Sequence, residues 1–164
     1  MNSSKQKEQD RVAQRVAEAV LQGATLMDLR GVCAEQMDGL YAYAYEFYQQ
    51  GRLDDAEKFF HFLCIYDFYN AQYWTGLAAV HQLKQNYQKA IDLYAVAFAQ
   101  STGDYLPMFC SGQCQLALGK AGKAKACFEG VAESSTNEDL RQQAGIYLAA
   151  LAQVQDEVSE NSSE

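Results

Sequence analysis

Three tyrosines, Tyr41, Tyr45 and Tyr48, follow one another at spacings of four and three, so on an α-helix their rings share one face. Tyrosine joins a large apolar ring to a hydroxyl that stays hydrated, which suits a groove that must be tolerable when empty and adhesive when filled. The chemistry implied is non-covalent recognition of another chain. A second reading has the stripe packing beneath an N-terminal helix, so the element that carries it has to decide. Other candidate chemistry is thinner. Cys110 and Cys114 lie one helical turn apart, but zinc needs two more ligands, and neither His61 nor His81 stands at a spacing that closes a site. Asp54, Asp55 and Glu57 read as the charged start of a helix, and Lys120, Lys123 and Lys125 as a solvated face. The sequence carries no Gly-rich phosphate loop, Ser/His/Asp set or convergent carboxylate pair. The expectation is a binding protein that is not an enzyme and uses no metal or cofactor.

The elements that must position the tyrosines are helical. One proline, Pro107, occurs among long stretches rich in Ala, Gln, Leu, Glu and Lys, the residues that lose least on entering a helix. A chain of 164 residues, 49% apolar, can bury the core of one domain without cross-links. Its net charge of −8 repels phosphate backbones and anionic lipid, which leaves a protein or small molecule as the ligand and excludes nucleic acid and membrane. The five cysteines, Cys33, Cys64, Cys110, Cys114 and Cys127, lie in apolar stretches and read as reduced core thiols. The polar first fifteen residues lack the apolar core of a signal peptide, and no apolar run is long enough to span a bilayer, so a cytoplasmic location is expected.

Self-comparison supplies the register. Ala56, Ala90 and Ala124 stand 34 residues apart, and the same period aligns Leu40 with Trp74 and Met108, Ala44 with Ala78 and Gly112, Phe60 with Tyr94 and Phe128, and Leu63 with Ala97 and Val131. Those columns are the large, small, small, aromatic and apolar places of a tetratricopeptide repeat (TPR). Its two helices approach closely only where the small residues permit. The reading is an all-α TPR solenoid of three helix pairs, at residues 37–70, 71–104 and 105–138, with flanking N- and C-terminal helices. His81, Ser111 and Gln115 interrupt places that are usually apolar. Gly51 and Gly119 end the first helices of units one and three, and Asn86 is assigned the same turn in unit two.

Residues 1–36 read as an N-terminal helical segment. Val12, Val16, Ala19 and Val20 form an apolar stripe, assigned to a homodimer interface or to capping of unit one. Thr25 and Asp28 suit a capping box for a short helix over 26–29. A capping helix over 139–158, with Ile146, Leu148, Leu151 and Val154 on its inner face, closes the last repeat, and an acidic, disordered tail follows at 159–164.

In a TPR stack the first helix of each pair lines the concave face, which assigns the tyrosine stripe to the groove. Unit two adds Gln72, Thr75, Ala79 and Gln82 to that face, and unit three adds Leu106, Phe109 and Gln113. Small residues between aromatic and aliphatic walls describe pockets for the apolar side chains of an extended peptide, whose backbone the glutamines can bond. The cationic clamp by which other TPR proteins hold an acidic peptide terminus is missing, since Tyr41, Tyr45, Gly76, Leu106 and Cys110 stand in its place. A structural adaptor acting through the convex face remains a competing function.

Residues 37–97, including LYAYAYEFYQQGRLDDAEKFFHFLCIYDFYN and GLAAVHQLKQNYQKAIDLYAVAF, resemble the class II chaperones of bacterial type III secretion systems. The similarity extends from EAVLQGATLMD, at 18–28, through the third repeat. It implies a cytoplasmic chaperone, without catalytic activity, that holds an extended segment of hydrophobic translocator proteins in the concave groove before export. It also implies that Tyr41, Tyr45 and Tyr48 match the family's groove aromatics, that Ala79, Gln82, Leu106 and Phe109 match its later groove places, and that a weak homodimer forms through N-terminal helices. Some members of the family also assist a transcription activator.

Overall fold

The computed structural model of the chain describes residues 11–12, 14–15, 18–19, 21–22 and 24–161. The described part of residues 11–21 is helical, and eight further helices follow: α1 (Leu26–Arg30), α2 (Ala34–Gln49), α3 (Leu53–Tyr66), α4 (Ala71–Leu83), α5 (Tyr87–Gln100), α6 (Leu106–Ala117), α7 (Ala121–Ser134) and α8 (Glu138–Asn161). Strands are absent among the described residues. From α2 onward each helix packs on the next, giving three antiparallel pairs closed by α8.

The repeat columns explain this packing. Ala44, Ala78, Ala56, Ala90 and Ala124 are fully buried, and a methyl group at each lets neighbouring backbones approach. At the third small position Gly112 goes further: an added Cβ would lie 2.8 Å from the Phe128 ring. Phe60, Tyr94 and Phe128 are the largest groups the helix pairs bury, and sequestering a ring of this size contributes about 2–3 kcal/mol. The large column is less enclosed, because Leu40, Trp74 and Met108 are only half-buried. Trp74 offsets its exposure by donating its indole N–H to the Phe68 carbonyl at 2.7 Å.

Helix ends follow local chemistry. At α1 the Thr25 hydroxyl accepts from the Asp28 amide (3.3 Å) while Asp28 Oδ2 accepts from the Thr25 amide (2.8 Å), which completes the capping box. The turn inside unit two departs from expectation. Its left-handed residue is Gln85, at φ 61°, whereas Asn86 has an ordinary φ of −81°. The period dictates this, because Gly51 (φ 72°), Gln85 and Gly119 (φ 70°) stand 34 residues apart. In unit two a residue with a Cβ occupies the glycine position.

The C-terminal helix also corrects the sequence reading. Leu140 and Ala144 are its buried residues, with Tyr147, Leu148 and Leu151 packed beside them, while Ile146 and Val154 are exposed. At 100° per residue Ile146 lies about 200° from both Ala144 and Leu148, hence on the opposite side of α8. The helix continues to Asn161, so 159–161 are helical rather than disordered, and 162–164 lie outside the described residues. Of the N-terminal stripe, Val16 and Val20 also lie outside the described residues. Val12 is exposed and Ala19 half-buried, and with Arg15 and Leu29 they line a cavity of about 250 Å³.

Candidate functional site

The first helices of the three pairs, α2, α4 and α6, bring the tyrosine stripe together with residues of units two and three. Tyr41, Tyr45, Tyr48, Gln72, Thr75, Ala79 and Leu106 line one open cavity of about 430 Å³, with Phe60, Ala71, Gly76 and Asp104 completing it. That volume lies within the range of sites that enclose part of a bound chain or a small molecule.

The three tyrosines differ in how the protein holds them. Tyr45 is the free one, 48% exposed, and stacks on Tyr48 with ring centroids 6.3 Å apart. Tyr41 meets Phe60 edge-on at 5.9 Å and Tyr73 at 5.7 Å, so half of its ring belongs to the core. Burial raises the hydroxyl pKa of Tyr41 and Tyr48 above its ordinary value, and neighbouring Tyr45 adds to both shifts. Tyr41 and Tyr48 stay neutral across the physiological range.

The floor is set by Gly76. A Cβ there would lie 2.2 Å from the Phe60 ring, so the absent side chain admits the edge of Phe60 beneath the tyrosines. A glycine inside an otherwise helical pattern is the signal that could have marked it from sequence. Thr75 turns its hydroxyl back to the Ala71 carbonyl at 2.9 Å, which leaves its methyl and Ala79 as the low side of the cavity.

Three predicted groove residues have other occupations. Phe109 is 4% exposed, packed edge-on against Phe128 (5.5 Å) and Tyr147 (5.5 Å); it belongs to the core of unit three and not to the groove. The cause is α8, whose Tyr147 stacks on Phe128 at 4.6 Å and closes the space above Phe109. Gln82 and Gln113 join a hydrogen-bonded chain: Tyr94 O–H donates to Gln82 Oε1 (2.7 Å), Gln82 Nε2 to Gln113 Oε1 (3.4 Å), and Gln113 Nε2 to the Tyr147 hydroxyl (3.0 Å). These amides bond one another across units two and three and α8, so their expected role toward a peptide backbone is already taken in part.

The remaining candidates are structural. Burial pushes Cys64 and Cys114 up to about 12, so both stay as inert thiols, and Cys110 is raised for the same reason. Cys33 is the exception to the core reading, being exposed. Among the described residues no three His, Cys, Asp or Glu side chains converge as metal ligands. Lys84 donates to Asp54 (2.6 Å) and Glu57 (2.7 Å), tying the end of α4 to the start of α3. Behind it His81 is 2% exposed, with neither ring nitrogen hydrogen-bonded; its Nε2 lies 3.4 Å from Glu57 Oε1 in poor alignment. No described helix is long and apolar enough to cross a membrane.

Comparison with known proteins bears on what such a groove holds. A tetratricopeptide-repeat family model matches residues 37–70 and 72–99. The chaperone protein SicA of Salmonella typhimurium is 59% identical over 143 residues, covering 87% of each chain. Among solved structures, a type III secretion complex from Aeromonas hydrophila superposes with a TM-score of 0.80 at 28% identity, covering 87% of this chain and 98% of the other. PcrH, from Pseudomonas aeruginosa, in complex with the chaperone-binding region of PopD superposes with a TM-score of 0.71 at 30% identity, covering 76% of this chain and 97% of that one.

Proposed function

This chain belongs to the type III secretion translocator chaperones, and from that premise we propose that it holds an extended segment of a hydrophobic translocator protein in the groove between α2, α4 and α6. The observation that carries the reading is the cavity itself: a half-exposed tyrosine wall with Thr75, Gly76 and Ala79 across α4, large enough for an apolar side chain and left open by the protein's own core. Covering the partner's apolar residues suppresses their self-association, and no chemical step is needed. The protein works in the cytoplasm without a cofactor and is not an enzyme. It forms a weak homodimer through the N-terminal segment, where Val12 and Ala19 join Leu29 at an incompletely filled surface.

The test is co-expression with the candidate translocators of the same secretion system, followed by co-purification. Wild type brings down its translocator in soluble form, and Tyr45→Ala/Tyr48→Ala loses it while keeping its melting temperature within a few degrees. Tyr41 is left intact because its contacts with Phe60 and Tyr73 make it part of the core. Undiminished recovery of the translocator with the double variant would move the binding site elsewhere. The second reading, an adaptor or co-regulator of another protein such as a transcription activator, is favoured by exposed Phe62 and Ile65 on α3 and Phe68 and Tyr69 beyond it. It predicts partner loss on changing those residues and not the tyrosines.

A further inference from the structure

Asp104 is the one acidic or basic residue among the described residues lining the cavity; the others are aromatic, aliphatic or uncharged polar side chains and glycine. Its position is fixed by the loop between α5 and α6. Oδ1 accepts from the Leu106 amide at 2.9 Å, and the Asp104 carbonyl accepts from the Ser101 hydroxyl at 3.1 Å, while that hydroxyl also binds the Phe98 carbonyl at 2.9 Å. Among the described residues nothing donates to Oδ2. The carboxylate is therefore held at the cavity with acceptor capacity unused. Tyr41, Tyr45 and Tyr48 line the same cavity, and the face of an aromatic ring attracts cations and repels anions. Two further carboxylates, Asp38 and Asp67, lie near Tyr73, which packs on Tyr41.

Resting on the groove reading above, we infer that the bound segment carries a Lys or Arg beside its apolar anchor, and that Asp104 with the tyrosine faces selects that cation. An aliphatic stem lies along apolar walls as well as a leucine does, and the charged end reaches the carboxylate. An anionic residue at the same place meets repulsion and is rejected. Asp104 is thus a specificity residue, separable from the apolar contacts that supply most of the affinity.

The experiment uses a labelled peptide from the translocator segment that co-purifies with the full chain, in a set that places Lys, norleucine or Glu at each non-anchor position in turn. Each peptide is titrated into wild type and Asp104→Asn. Asparagine keeps the acceptor for the Leu106 amide, and equal melting temperatures verify that the loop is intact. At one position wild type prefers Lys over norleucine by about fivefold to tenfold, the scale of one partly exposed ion pair together with a cation–π contact, and norleucine over Glu. In Asp104→Asn the Lys preference shrinks to about twofold while the norleucine peptide binds as before. Equal affinities of the three peptides at every position, or a Lys preference that survives Asp104→Asn undiminished, overturn the role of Asp104 and leave the groove reading standing. Failure of every peptide to bind overturns both.

Discussion

Tyr41 and Phe109 stand two periods apart at the same place of units one and three, and both meet the aromatic residue of their own second helix, Phe60 or Phe128. One lines an open cavity and the other is buried. What differs is the next helix. Against Tyr41, α4 packs Tyr73 but also presents Thr75, Gly76 and Ala79, which line the open cavity and leave room for a guest. Over Phe109, α8 presents Tyr147, which stacks on Phe128 and fills the equivalent space from within. A repeat position is therefore groove or core according to the size of the side chains that follow it, and the terminal helix of this solenoid acts as a permanent occupant of the last site.

The largest test of that contrast is Tyr147→Ala. It removes two ring contacts and the hydroxyl that accepts from Gln113, and should cost about 2–4 kcal/mol, read by chemical denaturation, with Phe109 becoming accessible. A neutral result would mean that α8 is not holding unit three closed. Next comes Gly76→Ala, which sets a methyl group against the Phe60 ring; overpacking of this kind costs about 1–3 kcal/mol. Gly122→Ala, with nothing within 4 Å of its Cβ, is the control and should not destabilise.

A smaller, pH-dependent effect separates unit two from its neighbours. Burial lowers the His81 pKa below 6.5; Glu57 opposes that shift, and the Lys84 and Lys89 charges add to it. Unfolding then takes up a proton as the pH falls through the unfolded value, so His81 contributes stability above about 6.5 that is lost progressively below it. Melting temperature should fall between about pH 7 and pH 5 in wild type and fall less in His81→Phe, which places an aromatic ring where Phe47 stands in unit one. Identical pH profiles would show that the imidazole does not titrate in that window. The smallest expected change is a gain. Gln85→Gly relieves a left-handed residue and should stabilise by up to about 1 kcal/mol, seen as a higher denaturation midpoint.

Much of this was legible beforehand because the period of 34 ties each column to one packing role; the alanine and aromatic columns and the two glycine turns follow from it. Tyr45 could be placed because no packing column needed it. Phe109 could not, since its fate depends on Tyr147, which stands one period after Gln113 but in the terminal helix, beyond the three repeats whose columns assigned the groove. The same limit explains Ile146 and Val154, whose stripe on α8 is the exposed one. Gln85 was within reach by strict counting from Gly51, and Asn86 was the more attractive residue type in the wrong column. Asp104 carried no signal of its own until the fold brought it to the same cavity as the tyrosines.

The central claim is that the space over Tyr41 and Tyr45 is kept empty for a translocator segment, and Ala79→Phe tests it most directly by supplying from within the ring that α8 supplies to unit three. A labelled translocator peptide is titrated into wild type and Ala79→Phe, with thermal melts of both proteins. The account predicts a variant at least as stable as wild type whose affinity for the peptide falls by about thirtyfold or more. Undiminished affinity in a folded variant would contradict it.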